Sequence, residues 1–263
     1  MMKVDPITLS VVRGILETTQ REMTLSLEKT SRSSVLNLAR DYSTSLFNAT
    51  PEMILQGQDI PIHLGSLMPA MKAVANFFSG EIHEGDLILH NDPAYNGSHI
   101  LDMCIYKPVF FEGKHVFWTV CKGHLTDVGG PVPASYNPNA TEIFAEGLRV
   151  PPIKLWEKGK QRDDILNMIL TNMRSRRNQE GDFKALIGAC QLGEKNLINL
   201  INKYGLEKVN SCIDELLSMA DKHMRTLIKK IPNGEYTGTA TLEDAGHGLG
   251  DLDITANLTI KED

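Results

Sequence analysis

Three residues near the middle of the chain have the types and spacing for metal chemistry: His99, Asp102 and His124. Imidazole nitrogens and a carboxylate oxygen suit zinc, manganese or iron. His99 and Asp102 stand three apart, which sets two ligands on one side of a helical turn or tight loop. They close the polar run His90-Asn91-Asp92-Pro93-Ala94-Tyr95-Asn96-Gly97-Ser98-His99-Ile100-Leu101-Asp102. His124 lies in a second run, Lys122-Gly123-His124-Leu125-Thr126-Asp127-Val128-Gly129-Gly130. A lone histidine is more often a core or surface residue than a ligand. The weight therefore rests on two His/Asp loops being brought together. Asp41 is a candidate fourth ligand, and His63 and His90 compete as ligands on spacing alone.

The elements that would position these residues are short strands. Asp86 to Asn91 reads as a buried strand because Leu87, Ile88 and Leu89 are contiguous. It delivers the first polar run at its C-terminal end. Ile105 to Phe111 and His115 to Cys121 read as a hairpin around Glu112-Gly113-Lys114. That hairpin starts near Asp102 and ends near His124, so it draws the two runs together. A strand-like run from Arg40 to Phe47 carries Asp41 at its start.

Elsewhere the pattern alternates between helices and loops. Asp5-Pro6 predicts a capped helix start, and Leu9, Val12, Leu16, Met23 and Leu27 form one apolar stripe behind it. A helix is expected over 66–79 behind Gly65. Residues 126–153 hold Pro131, Pro133, Pro138, Pro151 and Pro152 and read as a long ordered loop, a feature more often functional than a linker. Helices are expected at about 162–178, 182–203 and 206–230. Arg174, Arg176 and Arg177, the one dense basic cluster, are expected on a solvated or interface face of the first. Strands at 236–242 and 254–260 follow. Two strands alone rarely stand independently, so this piece is expected to pair with the preceding domain or with something outside the chain. The resulting class is α+β: a mixed α/β region at 1–160 with a hairpin-borne metal site, a helical region at 161–231, and at 232–263 the start of a β-rich unit completed elsewhere.

Composition narrows the function. The 263 residues are 41% hydrophobic and 23% charged, enough to bury a sizeable core. A net charge of −6 argues against a nucleic-acid partner. Cys104, Cys121, Cys190 and Cys212 lack CxxC spacing and sit in apolar contexts, which suggests buried thiols in a reducing cytoplasm. No run of about 18 apolar residues is present, so no membrane span is expected, and the N-terminus has no signal-peptide pattern.

Several stretches closely resemble the hydantoinase B/oxoprolinase family. They are Asp5-Pro6-Ile7-Thr8-Leu9, Ile60-Pro61-Ile62-His63-Leu64-Gly65-Ser66, Asn91-Asp92-Pro93 with Gly97 to Asp102, Gly123 to Gly130, Ala140 to Pro152, and Leu192-Gly193-Glu194. The match runs in order over essentially the whole chain. That family includes ATP-dependent N-methylhydantoin and caprolactam hydrolases, 5-oxoprolinase, and acetone and acetophenone carboxylases. The resemblance implies a metal-bearing B-type subunit with ligands at His99, Asp102 and His124, and at Asp41 in the hydrolase branch. It also implies an A-type partner subunit that binds ATP and magnesium. Family B subunits are longer, and this chain matches their N-terminal half, so a further chain supplying the remainder is expected.

No GxxxxGK[ST] motif occurs, and no GxGxxG opens a helix after a strand, which fits ATP binding on the partner. Asp127 has two readings: a base or imidazole-orienting partner for the site, or a cap for the Gly129-Gly130 turn. His63 and Glu142 are candidate pocket residues. Three functions stay open: a cyclic-amide hydrolase subunit, a ketone carboxylase subunit, and an assembly subunit whose metal is structural. An open coordination position would favour either enzyme over the third.

Overall fold

The computed structural model describes residues 4–57 and 59–261. Helix α1 spans Pro6–Thr30, with the Asp5 carboxylate accepting from the Thr8 amide at 2.9 Å and Pro6 in the first turn. Its buried residues Val12, Leu16, Thr19, Met23 and Leu27 repeat at helical spacing and face the sheet. A one-turn helix, α2 (Ser34–Asn37), leads into β1 (Tyr42–Asn48) and β2 (Met53–Gln56). Helix α3 (Ile62–Phe77) and strand β3 (Leu87–His90) follow. The hairpin of β4 (Asp102–Phe111) and β5 (Lys114–His124) turns at Glu112-Gly113, both residues having positive φ, as a two-residue primed turn requires. After the long loop come β6 (Ile153–Glu157), β7 (Lys160–Gln161), α4 (Asp163–Thr171), α5 (Arg176–Tyr204), α6 (Leu206–Ile228), β8 (Gly234–Leu242) and β9 (Leu252–Ile260).

Seven strands form one antiparallel sheet in the order β2-β1-β5-β4-β3-β6-β7. Side chains alternate between its faces. Met103, Ile105, Phe117 and Cys121 face α1 and α5 in the larger core, with Leu16, Met23, Leu186 and Cys190. Phe47, Ile88, Cys104, Tyr106, Trp118 and Val120 face α3, where Leu67, Met71 and Val74 cover them. Burying each large apolar side chain is worth about 1.5–3 kcal/mol, so this two-faced burial anchors the central strands. The fold is α+β, as the element pattern predicts. All four cysteines are free and buried.

Some boundaries differ from expectation, each for a local reason. Helix α3 begins four residues early, so Gly65 lies inside it and His63 is placed in its first turn. The break expected near 179–181 falls instead between Thr171 and Arg176. Gly181 does not end a helix: a Cβ there would lie 2.3 Å from Arg32 Cδ, so the glycine admits a crossing side chain. Arg174 therefore sits in the α4–α5 joint and not within a helix, exposed as Arg176 and Arg177 are, with its guanidinium paired to Asp127. Gly193 plays a similar packing part, since a Cβ would meet Met23 Sδ at 2.5 Å and Thr119 Cγ2 at 2.9 Å. Its neighbour Glu194 reaches buried Lys107 at 3.2 Å, which accounts for the Leu192-Gly193-Glu194 stretch by packing.

The last two strands pair with each other from Gly234↔Ile260 to Leu242↔Leu252. Tyr236, Leu242, Leu252, Ile254 and Leu258 share one face of that hairpin and are exposed. The opposite face carries Thr237 bonded to Asn257 and Thr241 bonded to Asp253.

Candidate metal centre

Strand register builds the site. Asp102 lies directly opposite His124 across the β4–β5 pair. On the other side of β5, the His124 amide donates to the Asp41 carbonyl at 3.0 Å, next to the Tyr42↔Gly123 pair. Asp41, His124 and Asp102 thus occupy one row across three neighbouring strands. Alternation places Asp102 and His124 on the α3 side, two and four residues from Cys104 and Val120 respectively. His99 arrives from the preceding turn, closed by the Asp102 amide donating to the His99 carbonyl at 3.0 Å.

That turn has its own supports. Asn91 Nδ2 donates to the Ile100 carbonyl at 2.6 Å and the Leu148 carbonyl at 3.0 Å, while Asn91 Oδ1 accepts from the Val150 amide at 2.7 Å. Arg149 grips Asp92 with one nitrogen 2.9 and 3.0 Å from its two oxygens. Gly97 permits the close return, since a Cβ would lie 2.9 Å from the carbonyl oxygens of Asn91 and Asp92. The end of the long loop is therefore tied to the segment that presents His99.

The cluster is compact. Ligand atoms of His99, Asp102 and His124 all lie within 4.8 Å of one another. Asp102 Oδ1 is 3.1 Å from His99 Nε2 and 3.3 Å from His124 Nδ1. The oxygen is buried, yet neither ring gives it an aligned hydrogen bond. Donor atoms that converge without bonding one another are suited to a shared cation. At bonds of about 2.0–2.2 Å to a tetrahedral ion, such atoms would stand roughly 3.4 Å apart. The residues present fit a divalent metal. Asp41 Oδ2 lies 3.7 Å from His124 Nδ1, at the partly open side of the group. His63 Nε2 lies 3.6 Å from Asp102 and 3.9 Å from Asp41, while its Nδ1 is 2.9 Å from Ser43 Oγ.

Charges around the group are strongly coupled. Burial by itself would raise the Asp102 carboxyl, but His124, His99, Lys122 and Ser98 outweigh it and hold the group ionised far below the usual range. The adjacent Asp102 carboxylate raises His99. Burial, reinforced by Lys122, lowers His63.

His90 stands apart from the donor group. It is buried opposite Cys104, packed at 5.3 Å against the Tyr106 ring, and neither ring nitrogen has a hydrogen-bond partner. Burial pushes its pKa down to about 4. In the unfolded chain it titrates near 6.5, so between those values the unfolded state binds the extra proton. Stability from His90 is complete above about pH 6.5 and falls as the pH drops toward 4, by about 3 kcal/mol in all. Urea unfolding of the metal-free protein at pH 7 and pH 5 should show a loss that is smaller in His90→Phe. An equal loss in both proteins would refute that assignment.

Asp127 is bonded into the loop that follows His124. Its oxygens accept from the amides of Gly129 (2.9 Å) and Ala134 (3.0 Å) and from Arg174 Nη1 (2.9 Å). Glu142 is exposed, ahead of the short turn Ile143–Ala145. Sequence reasoning passed over Lys122, Ser66, Ser98 and Ser43, which line the group from behind. The signal for Lys122 was its parity: a lysine two residues before His124 on an otherwise apolar strand must point to the same side.

A family profile described as Hydantoinase B/oxoprolinase matches residues 5–263. The beta subunit of caprolactamase from Pseudomonas jessenii is 68% identical over 263 residues, which are 100% of this chain and 45% of that protein. The crystal structure of ATP-dependent caprolactamase from the same organism superposes with a TM-score of 0.95, covering 98% of this chain and 45% of that one. A nucleotide-free acetone carboxylase structure, 20% identical, gives a TM-score of 0.85 over 96% of this chain and 35% of its own, a likeness of fold. The chain spans less than half the length of these relatives. Among the described residues, no helix is long and apolar enough to cross a membrane.

Proposed function

The chain belongs to the hydantoinase B/oxoprolinase family, and on that premise we propose that it is the metal-bearing part of an ATP-dependent cyclic-amide hydrolase. One observation carries the reading: whole-chain identity of 68% to a caprolactamase beta subunit. The His99–Asp102–His124 group, with its unpartnered buried oxygen, agrees with it.

His99, Asp102 and His124 would hold zinc, manganese or iron, with Asp41 closing the group from the β1 side. When bound, that ion would supply Lewis acidity to a carbonyl or activate water at neutral pH. The chain's own residues do the rest. Burial keeps His63 neutral, and Ser43 orients its ring so that Nε2 looks toward both carboxylates, a place to take or return a proton. Exposure of His99 leaves the group open on one side, where a small substrate can approach. Asp127 fixes the loop after His124 rather than moving protons, and Glu142 faces solvent beside the same loop. ATP binds an A-type partner subunit. Residues 1–160 form the metal-bearing region, 161–231 the helical region that completes its core, and 232–263 part of a β-rich unit.

An unactivated lactam is a poor electrophile, so nucleotide and metal must act on one substrate. ADP release by the chain co-purified with its neighbouring subunits tests this. Turnover should appear with caprolactam, a hydantoin or 5-oxoproline, and only with both subunit types present. Turnover that instead requires a ketone and bicarbonate would replace the hydrolase reading with the carboxylase one.

A further inference from the structure

Behind the metal group lies a charge that it does not need as a ligand. Lys122 is buried on β5, two residue pairs along from Asp102 and facing the same side. Its Nζ lies 2.8 Å from Ser66 Oγ, 2.5 Å from Ser98 Oγ and 3.2 Å from Asp102 Oδ2. An ammonium has three protons, and here all three have takers. Ser98 Oγ in turn donates to Asp102 Oδ2 at 2.5 Å. Four elements meet at this one cation: α3 through Ser66, the His99 turn through Ser98, β5 through Lys122 and β4 through Asp102.

We propose that Lys122 is the built-in counter-ion of Asp102, keeping the site folded without metal and loosening its grip on a divalent ion. The proposal rests on the metal reading above. A buried carboxylate with no cation is strongly destabilising, and breaking a buried pair leaves an uncompensated charge. Lys122 supplies that cation from the Oδ2 side, whereas the imidazoles and any metal lie on the Oδ1 side. Lysine and metal thus compete for one negative charge, and they repel each other across it. With both imidazoles neutral, Lys122 cancels Asp102, leaving Asp41 as the remaining anion at the group. The ion would keep most of its positive charge for the substrate.

Two measurements decide this. Chelator competition compares zinc and manganese affinity of wild type and Lys122→Met. Electrostatics at several ångströms predicts binding at least about tenfold tighter in the variant, an outcome a purely structural lysine would not give. Lys122→Gln, which keeps donors for the serines without the charge, provides the same comparison should the methionine variant fold poorly. Thermal unfolding of the metal-free proteins is the second measurement. Asp102→Asn strands a buried ammonium and should lower Tm by about 5–15 °C, and adding Lys122→Met should recover most of that. Unchanged or weaker metal affinity in the Lys122 variants, or losses that simply add in the double variant, overturns the proposal. If wild type binds neither ion, the metal assignment falls and takes the proposal with it. Wild-type binding with unaltered affinity in the variants defeats the proposal alone.

Discussion

Alanine at both His99 and His124 should abolish stoichiometric metal binding while leaving the fold intact. Each imidazole is one of three convergent donors, and structural zinc sites with four ligands bind with about 10–16 kcal/mol in total. Loss of two donors should therefore weaken binding by about 10⁴-fold or more. Neither ring supports the core: His99 is half exposed and His124 sits at a strand end. Circular dichroism and Tm of the metal-free double variant should match wild type. Metal analysis after dialysis gives the answer, and full occupancy in the double variant would sink the ligand assignment. Asp41→Ala should cost less, because that carboxylate stands farther from the group and partly in solvent.

Asp127→Ala should do the reverse, lowering stability by about 3–5 kcal/mol while metal affinity stays within a few-fold of wild type. The carboxylate is buried and accepts from Gly129, Ala134 and Arg174, which ties the loop after His124 to the α4–α5 joint. Its removal leaves several amides and a guanidinium without their acceptor. Its pKa lies below the usual carboxylate value, because those donors outweigh burial. The stability it provides is thus present above about pH 4 and lost as the pH falls through the folded value. Denaturant unfolding and chelator competition on the same preparation separate the two roles. A large loss of metal affinity with unchanged stability would make Asp127 a partner of the site.

The contrast between these residues shows what the one-dimensional pattern could reveal. The hairpin was legible because alternation, a Glu-Gly turn and flanking apolar runs are local signals. His99, Asp102 and His124 were legible because their spacing to that hairpin is also local. Asp127 kept two readings, since its deciding partner, Arg174, is 47 residues away. Strand order was hidden for the same reason: β1 inserts beside β5, and β3 beside β4 and β6, by pairings no local period encodes. Gly181 lies inside α5, where Arg32 crosses it, a contact between distant parts of the chain that no local pattern announces. His63 is set over the row because α3 starts at Ile62, a boundary that no capping residue marks.

The row itself sets rules for insertions and deletions. Asp41, His124 and Asp102 fall on one rung of a ladder whose neighbouring strands stand about 4.8 Å apart. Dropping a single residue from the body of β5 would turn its downstream side chains over, offering Leu125 where His124 belongs and sending Lys122 toward α1 and α5. Changes at the Glu112-Gly113 tip can lengthen or shorten both arms together and leave the rung untouched. Descendants of this chain can therefore vary freely at the hairpin tip, while the strand segments nearest the rung admit replacement but not a change in residue count.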